Sequence, residues 1–240
     1  MTKKIILSVK RSQFRCDDPS ADEADAGFKK VRPEIIERDD STCQFCDFKA
    51  PKYQEVHHLN DIHSDNRPEN LITACCLCHA AHHVGLSGTL ERGCLIYLDP
   101  SLGISQADLN QLVRALWVGE MSKSPEISMS CVSMLSRFHK ANVPARRRIG
   151  SSDLSVLSDF LLALDDEKYA EREKHLQGIY FFPYEEYYSA HIEYWMKSVY
   201  SQFKPSEWVG AAEKKLSRWS TDQNGSASES DIAKLLRDRS

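Results

Sequence analysis

The chain has 240 residues and a mass of 27.4 kDa, 41% hydrophobic and 28% charged, enough for one large domain or two small ones around a buried core. A formal net charge of -4 and a pI near 6.1 exclude a uniformly basic nucleic-acid binder, so any DNA contact requires a local patch. No apolar run approaches the roughly 20 residues of a membrane helix, and the N-terminal MTKKIILSVKRSQF lacks the apolar core and cleavage site of a signal peptide, which predicts a cytoplasmic protein without membrane insertion.

The first element, Lys3 to Val9, is apolar and partly β-branched and reads as a short strand. An acidic loop, Asp17 to Gly27, leads into a helix over Phe28 to Asp39, with Phe28, Val31, Ile35 and Ile36 on one stripe and Pro33 marking where the regular helix begins. Lys29, Lys30, Arg32 and Arg38 make its solvated basic face. Ser41 to Val84 is too rich in Cys, His, Asn and Pro for an ordinary amphipathic element and reads as a metal-organised hairpin followed by a helix. Leu95 to Leu98 is a buried strand. Ser105 caps a helix whose stripe is Leu109, Leu112, Val113, Leu116 and Trp117, ending near Gly119; Ser128 to Ala141 is a second. Pro144 and Arg146 to Arg148 read as a basic linker. Ser152 and Asp153 then cap a helix carrying Leu154, Leu157, Phe160, Leu161 and Leu164. Pro183 opens an aromatic helix on which Tyr184, Tyr188, His191 and Trp195 share a face, either core or partner surface, with Tyr187 and Trp195 as exposed candidates. Pro205 opens a last helix through Trp219, and a polar tail follows.

Eight cysteines in a reducing compartment are better read as metal ligands than as disulfides where they cluster. Cys43 and Cys46 form CQFC, and Cys75, Cys76 and Cys78 form CCLC. Tetrahedral zinc takes two such turns, one on a hairpin and one at a helix start; Cys43, Cys46, Cys75 and Cys78 fit, with a Cys76 and Cys78 pairing as the open alternative. Cys16, Cys94 and Cys131 stand apart and read as small buried hydrophobes. His57, His58, His63, His79, His82 and His83 lie between or just after the two cysteine groups, and His79 and His83, four apart, share a helix face.

The sequence VHHL, then NL, then CLCH resembles the HNH endonuclease family and its ββα-metal motif. The resemblance implies that His58 is the general base for attack on a phosphodiester, that His57, His79 and His83 hold a divalent ion such as Mg²⁺ at the scissile phosphate, and that Asn70 orients the loop. A wider set of stretches, ERDDSTCQFCDF, YQEV, NRPENLITACCLC, LIYL with QADLNQL, SVLSDFLLAL and EYWMKS, is similar to the IcmJ/DotN family of the type IVB (Dot/Icm) secretion apparatus. That resemblance implies a scaffold in the coupling complex at the inner face of the membrane, binding the C-terminal region of the coupling ATPase and other coupling-complex subunits. The expected fold is α+β: an N-terminal strand and loop (1–26), an HNH-like zinc module (27–100), a mainly α-helical region (101–219) and a tail (220–240). The two expected functions are a zinc-stapled adaptor and a metal-dependent nuclease acting on DNA. Net negative charge favours the first and the histidines favour the second.

Overall fold

A short hairpin between two layers of helix positions everything that follows. In the computed structural model, which describes residues 3–11 and 21–201 together with 204, 206, 209 and 210, α1 (Ala21–Arg38) precedes β1 (Gln54–His58) and β2 (Leu71–Cys75), an antiparallel pair with Val56 opposite Thr73 and His57 opposite Ile72. The chain passes directly from β2 into α2 (Cys76–His82). Side chains alternate along β1. Val56 packs with Ile35 of α1 and Leu71 of β2, and the His58 ring lies 5.2 Å from that of Phe28. Glu55 and His57 face the other way, onto His79 of α2.

The expected apolar stripe of α1 is the one that packs, with Phe28, Val31 and Ile36 flanking buried Ile35. Its start differs from expectation: α1 begins at Ala21, inside the segment read as an acidic loop, and carries Pro33 in its interior. Pro33 has no N–H for the carbonyl one turn earlier, a loss tolerated on an exposed surface where water reaches that carbonyl. The basic face is partly consumed. Arg32 donates to the Gln54 carbonyl at 2.7 Å, and Arg38 to the carbonyls of Pro68 and Leu71, both at 2.8 Å. Asp39, paired with Arg38, accepts from Thr73 N at 2.8 Å, so charge stitches α1 to the hairpin.

After α2 come α3 (Val84–Thr89), β3 (Gly93–Tyr97), α4 (Gln106–Glu120), α5 (Pro125–Lys140), α6 (Asn142–Ile149), α7 (Leu154–Ala163), α8 (Asp166–Ala170), α9 (Arg172–His175), β4 (Ile179–Pro183) and α10 (Ser189–Lys197). The fold class is α+β, with β3 and β4 forming a second antiparallel pair, Leu95 opposite Phe181. The expected caps are present: Ser105 and Asp108 form a reciprocal capping box on α4, and Asp153 accepts from Ser155 N at 2.7 Å on α7. α7 seats on α3 through glycine. A Cβ on Gly88 would come within 2.6 Å of Ser155 Oγ, and one on Gly85 within 2.7 Å of Ser158 Oγ.

Four expectations are corrected. Lys3 to Val9 buries Ile5, Leu7 and Val9 but pairs with no strand among the described residues; its backbone bonds include Lys3 N to Gln44 O, Val84 N to Ser8 O and the Tyr169 hydroxyl on Val9, and its Lys4 and Ser8 side chains meet Glu173 and Arg172. Arg146 to Arg148 lie in α6, not a linker, and Arg148 stacks 3.7 Å over the Tyr97 ring. Pro183 ends β4 instead of opening a helix, and a 3₁₀ turn, Glu185–Tyr188, intervenes before α10. Trp195, on a face read as either core or partner surface, belongs to the core, buried against Phe48, which removes it as an exposed candidate. The helix after Pro205, Cys16 and the tail 220–240 lie outside the described residues or mostly so. One apolar cluster runs from Ile5 through the cysteine quartet to Val209.

Glu185, in the 3₁₀ turn, faces Glu120 at the end of α4. Burial, and then this like charge, push its carboxyl up to about 7 from an ordinary 4.5. A carboxyl raised in the folded state favours folding while it is protonated, so its contribution is complete below the unfolded value and is lost as pH rises to about 7. Glu185→Gln should therefore raise the melting temperature increasingly from about pH 5 to pH 7, then level off at a gain of about 2–4 °C, corresponding to ~1 kcal/mol for a solvent-screened site. A gain independent of pH contradicts the assignment.

Candidate metal centres

Cys43 to Cys46 is a tight turn closed by the Thr42–Lys49 bridge and by Cys43 N bonding to Phe48 O at 2.9 Å. Cys75 ends β2, and Cys78 lies in the first turn of α2. These two turns bring the four sulfurs within 4.8 Å of one another, all in buried residues. The Cys46 and Cys75 sulfurs are 3.7 Å apart. The edge of a tetrahedron with metal–sulfur bonds of about 2.3 Å is about 3.8 Å, so the quartet fits one tetrahedral ion. Cys76 is outside the quartet: the geometry groups Cys75, not Cys76, with Cys78. Cys94 and Cys131 are buried as expected.

The sequence reading missed Arg114. It is the third of Gln106, Asn110 and Arg114, spaced four apart on one line of α4, all buried. Gln106 clasps β4, accepting from Phe181 N and donating to Phe181 O, both at 2.9 Å. Asn110 donates to Cys78 Sγ at 3.4 Å. Arg114 Nη2 donates to Cys75 Sγ at 3.3 Å and approaches Cys46 Sγ at 3.9 Å, while its guanidinium lies 3.5 Å over Phe48 and 5.4 Å from Trp195. Gln111 donates to the Cys46 carbonyl. Burial alone would lower the Arg114 pKa, but the Cys75 and Cys46 sulfurs outweigh it and raise it. Cys46 is held far below its ordinary range, first by Cys43 and Cys75, with help from Arg114; burial pushes Cys75 and Cys78 up. The quartet is thus an anionic group with a buried cation against it.

The second cluster lies at the other end of α2. Donor nitrogens of His57, His79 and His83 also fall within 4.8 Å of one another. Glu55 accepts from His79 Nδ1, leaving Nε2 as that ring's lone-pair donor, the usual carboxylate–histidine support of a metal ligand. Burial, then neighbouring His82 and His79, push His57 down to about 2; burial, then His79, push His82 down to about 3 and His83 well below its ordinary value. His57 and His83 are therefore neutral at physiological pH, the form that coordinates metal. His57 Nδ1 is buried with no hydrogen-bond partner, as a nitrogen reserved for a ligand would be. Burial works against the Glu55 carboxylate, but His79 outweighs it and keeps the carboxyl below the usual range.

His82, not singled out as a ligand, stacks on His57 at 4.7 Å and meets Phe45 at 4.6 Å. His58 points to the α1 side of β1. Its Nε2 is 3.0 Å from Asn66 Oδ1, and its ring is 4.9 Å from that of His63. The Asn70 amide clamps the intervening loop, donating to Asn60 Oδ1 and Asp65 O at 2.9 Å and accepting from Asn60 N at 3.1 Å.

No family model matches the chain. Over 188 residues, 75% of its own length and 84% of the relative's, it is 32% identical to the Type 4 apparatus protein DotN of Legionella pneumophila subsp. pneumophila.

The Arg114 geometry has a measurable consequence. Arginine and methionine are similar in length, and beside neutral thiols Arg114→Met would be neutral or stabilising, because no charge would need burial. Beside an anionic quartet it strands buried negative charge, and we expect a loss of about 3–5 kcal/mol in unfolding experiments. An unchanged stability removes the charge-pair assignment.

Proposed function

The chain belongs to the family of the type 4 apparatus protein DotN, and from that membership we propose that it is a zinc-stapled scaffold of a type IVB secretion or conjugation coupling complex. The likeness across most of both chains carries the reading. The cysteine quartet supports zinc as the staple, because four buried thiolates with a 3.7 Å edge suit that ion and the 41–84 segment has few alternatives for closing its knuckle. Zinc would supply folding energy here, with residues 27–100 as the metal-binding module, read as HNH-like from the order β1, β2, α2, and 101–219 as the helical region. On this reading the chain works at the inner face of the membrane through its complex. No helix among the described residues is long and apolar enough to cross a membrane.

We take the partner to be the C-terminal region of the coupling ATPase. With Trp195 in the core, Tyr187 is the remaining exposed candidate: it is 41% exposed, with the Arg92 guanidinium 4.7 Å over its ring. Elemental analysis of protein purified without added metal should find about one zinc per chain. Cys43→Ser should lose it and unfold the knuckle, whereas Cys131→Ser should retain it. In a pull-down with the ATPase tail, Tyr187→Ala should reduce capture at unchanged melting temperature. Full capture by Tyr187→Ala moves the partner off this face.

A second reading, a nuclease using Mg²⁺ or another divalent ion, is favoured by the convergence of His57, His79 and His83. Its test is nicking of supercoiled plasmid with Mg²⁺, Mn²⁺ or Ni²⁺. If His58 is the base, His58→Ala should lower the rate by about 10² to 10⁴ while the structural zinc is kept. Inactivity with every metal leaves the scaffold.

A further inference from the structure

The imidazoles of His79 and His83 do not face open surface. They border a pocket of about 480 Å³, bounded by α1, β1, α3, α7 and the extended segment at Val9 and Lys10. This is the size of a small-molecule site. Its walls are mainly apolar: Phe28, Val56, Leu86 and Leu162 stand around it, and Leu86 and Leu162 remain 52% and 37% exposed. His58 and His63 line it beside His79 and His83, and two cations, Lys10 and Arg32, are offset by two carboxylates, Glu55 and Asp61. A cleft for a nucleic-acid backbone concentrates positive charge, and this lining does not.

We propose that this pocket binds a small carboxylate with an apolar arm, whose carboxylate completes the coordination of a divalent ion held by His57, His79 and His83. The proposal rests on the reading of those three histidines as a metal site. Three imidazole donors bring no negative charge to a divalent ion and leave one tetrahedral position open, so an anionic oxygen is the fitting fourth ligand. Such a ligand's arm lies against Phe28, Val56, Leu86 and Leu162, removing their exposed faces from water. α7 contributes Leu162 to this wall because Gly85 and Gly88 let it approach α3 closely. The histidine centre is then a ligand-sensing or ligand-stabilised part of a scaffold.

The test is calorimetry on the full chain with its cysteine-bound zinc retained. Zn²⁺ is titrated first, then octanoate, with acetate as the anion lacking an arm and octanol as the arm lacking an anion. We expect a second zinc per chain and octanoate binding at least tenfold tighter than either control. Leu162→Trp, at a partly exposed position, should fill the pocket and abolish octanoate binding with the second zinc kept, and His79→Ala should lose both. A second zinc with octanoate no tighter than acetate overturns the ligand proposal and leaves the metal reading standing. Failure to bind a second zinc overturns both. Displacement of octanoate by a short DNA duplex overturns the small-ligand assignment in favour of nucleic acid.

Discussion

A guanidinium buried in the middle of an apolar core has to be matched by negative charge within reach, and at Arg114 the nearest source is the cysteine quartet, through the sulfurs of Cys75 and Cys46, with the Tyr200 hydroxyl beside them. The desolvation cost of one such ion is several kcal/mol even after relaxation. Arg114 is on α4, the sulfurs are on the knuckle and β2, and the rings beside the guanidinium, Phe48 and Trp195, belong to the knuckle's flank and to α10. One charge requirement therefore fixes the relative positions of four segments far apart in sequence. The cysteine quartet is less a separate finger than the polar centre of a core that continues into the helical region.

Helix α2 transmits that fixation to the histidines. Cys78 sits in its first turn and His79 and His82 in its last, with His83 at its C-cap, so the two clusters are joined by one turn of helix. From the other side, β2 carries Cys75 while its partner β1 carries His57 opposite Ile72. An ion at the cysteines would immobilise both supports of the histidine cluster. Strand alternation does the rest, turning His57 toward α2 and His58 toward α1.

What the sequence made legible was local. CxxC spacing and an i, i+4 histidine pair on a helix are set by backbone geometry over a few residues, and the structure gathers Cys43, Cys46, Cys75 and Cys78 and, separately, His57, His79 and His83, while the adjacent His58 stays outside the cluster. Arg114 and Asn110 were not legible because a polar residue on an amphipathic helix reads as solvated unless its tertiary partner is known, and that partner lies more than thirty residues away. β4 was missed for the same reason: IYFFP becomes a strand by pairing with β3, more than eighty residues earlier, and Pro183 is tolerated because it is the terminal residue. Lys3 to Val9 erred in the other direction. Its β-branched pattern correctly marked buried residues, but the available backbone partners were the Gln44 carbonyl, the first amide of α3 and the Tyr169 hydroxyl in place of a strand.

Cleavage and scaffolding ask different things of the same histidines. A nuclease needs an approach wide enough for the backbone and a field that draws phosphates in, whereas a scaffold needs the cluster held rigid and shielded from bulk water. Here His57 is nearly fully buried, Glu55 fixes the orientation of His79, and α7 closes over the adjoining space through a glycine contact too tight for any other residue. The lysine, arginine and carboxylate charges lining that space cancel, and beside the histidines the surface facing it is mainly apolar, with Phe28, Val56, Leu86 and Leu162. These features favour occupancy by something small and partly apolar over passage of a polyanion, and they give the histidine geometry a purpose within a secretion-apparatus component that does not depend on cutting DNA.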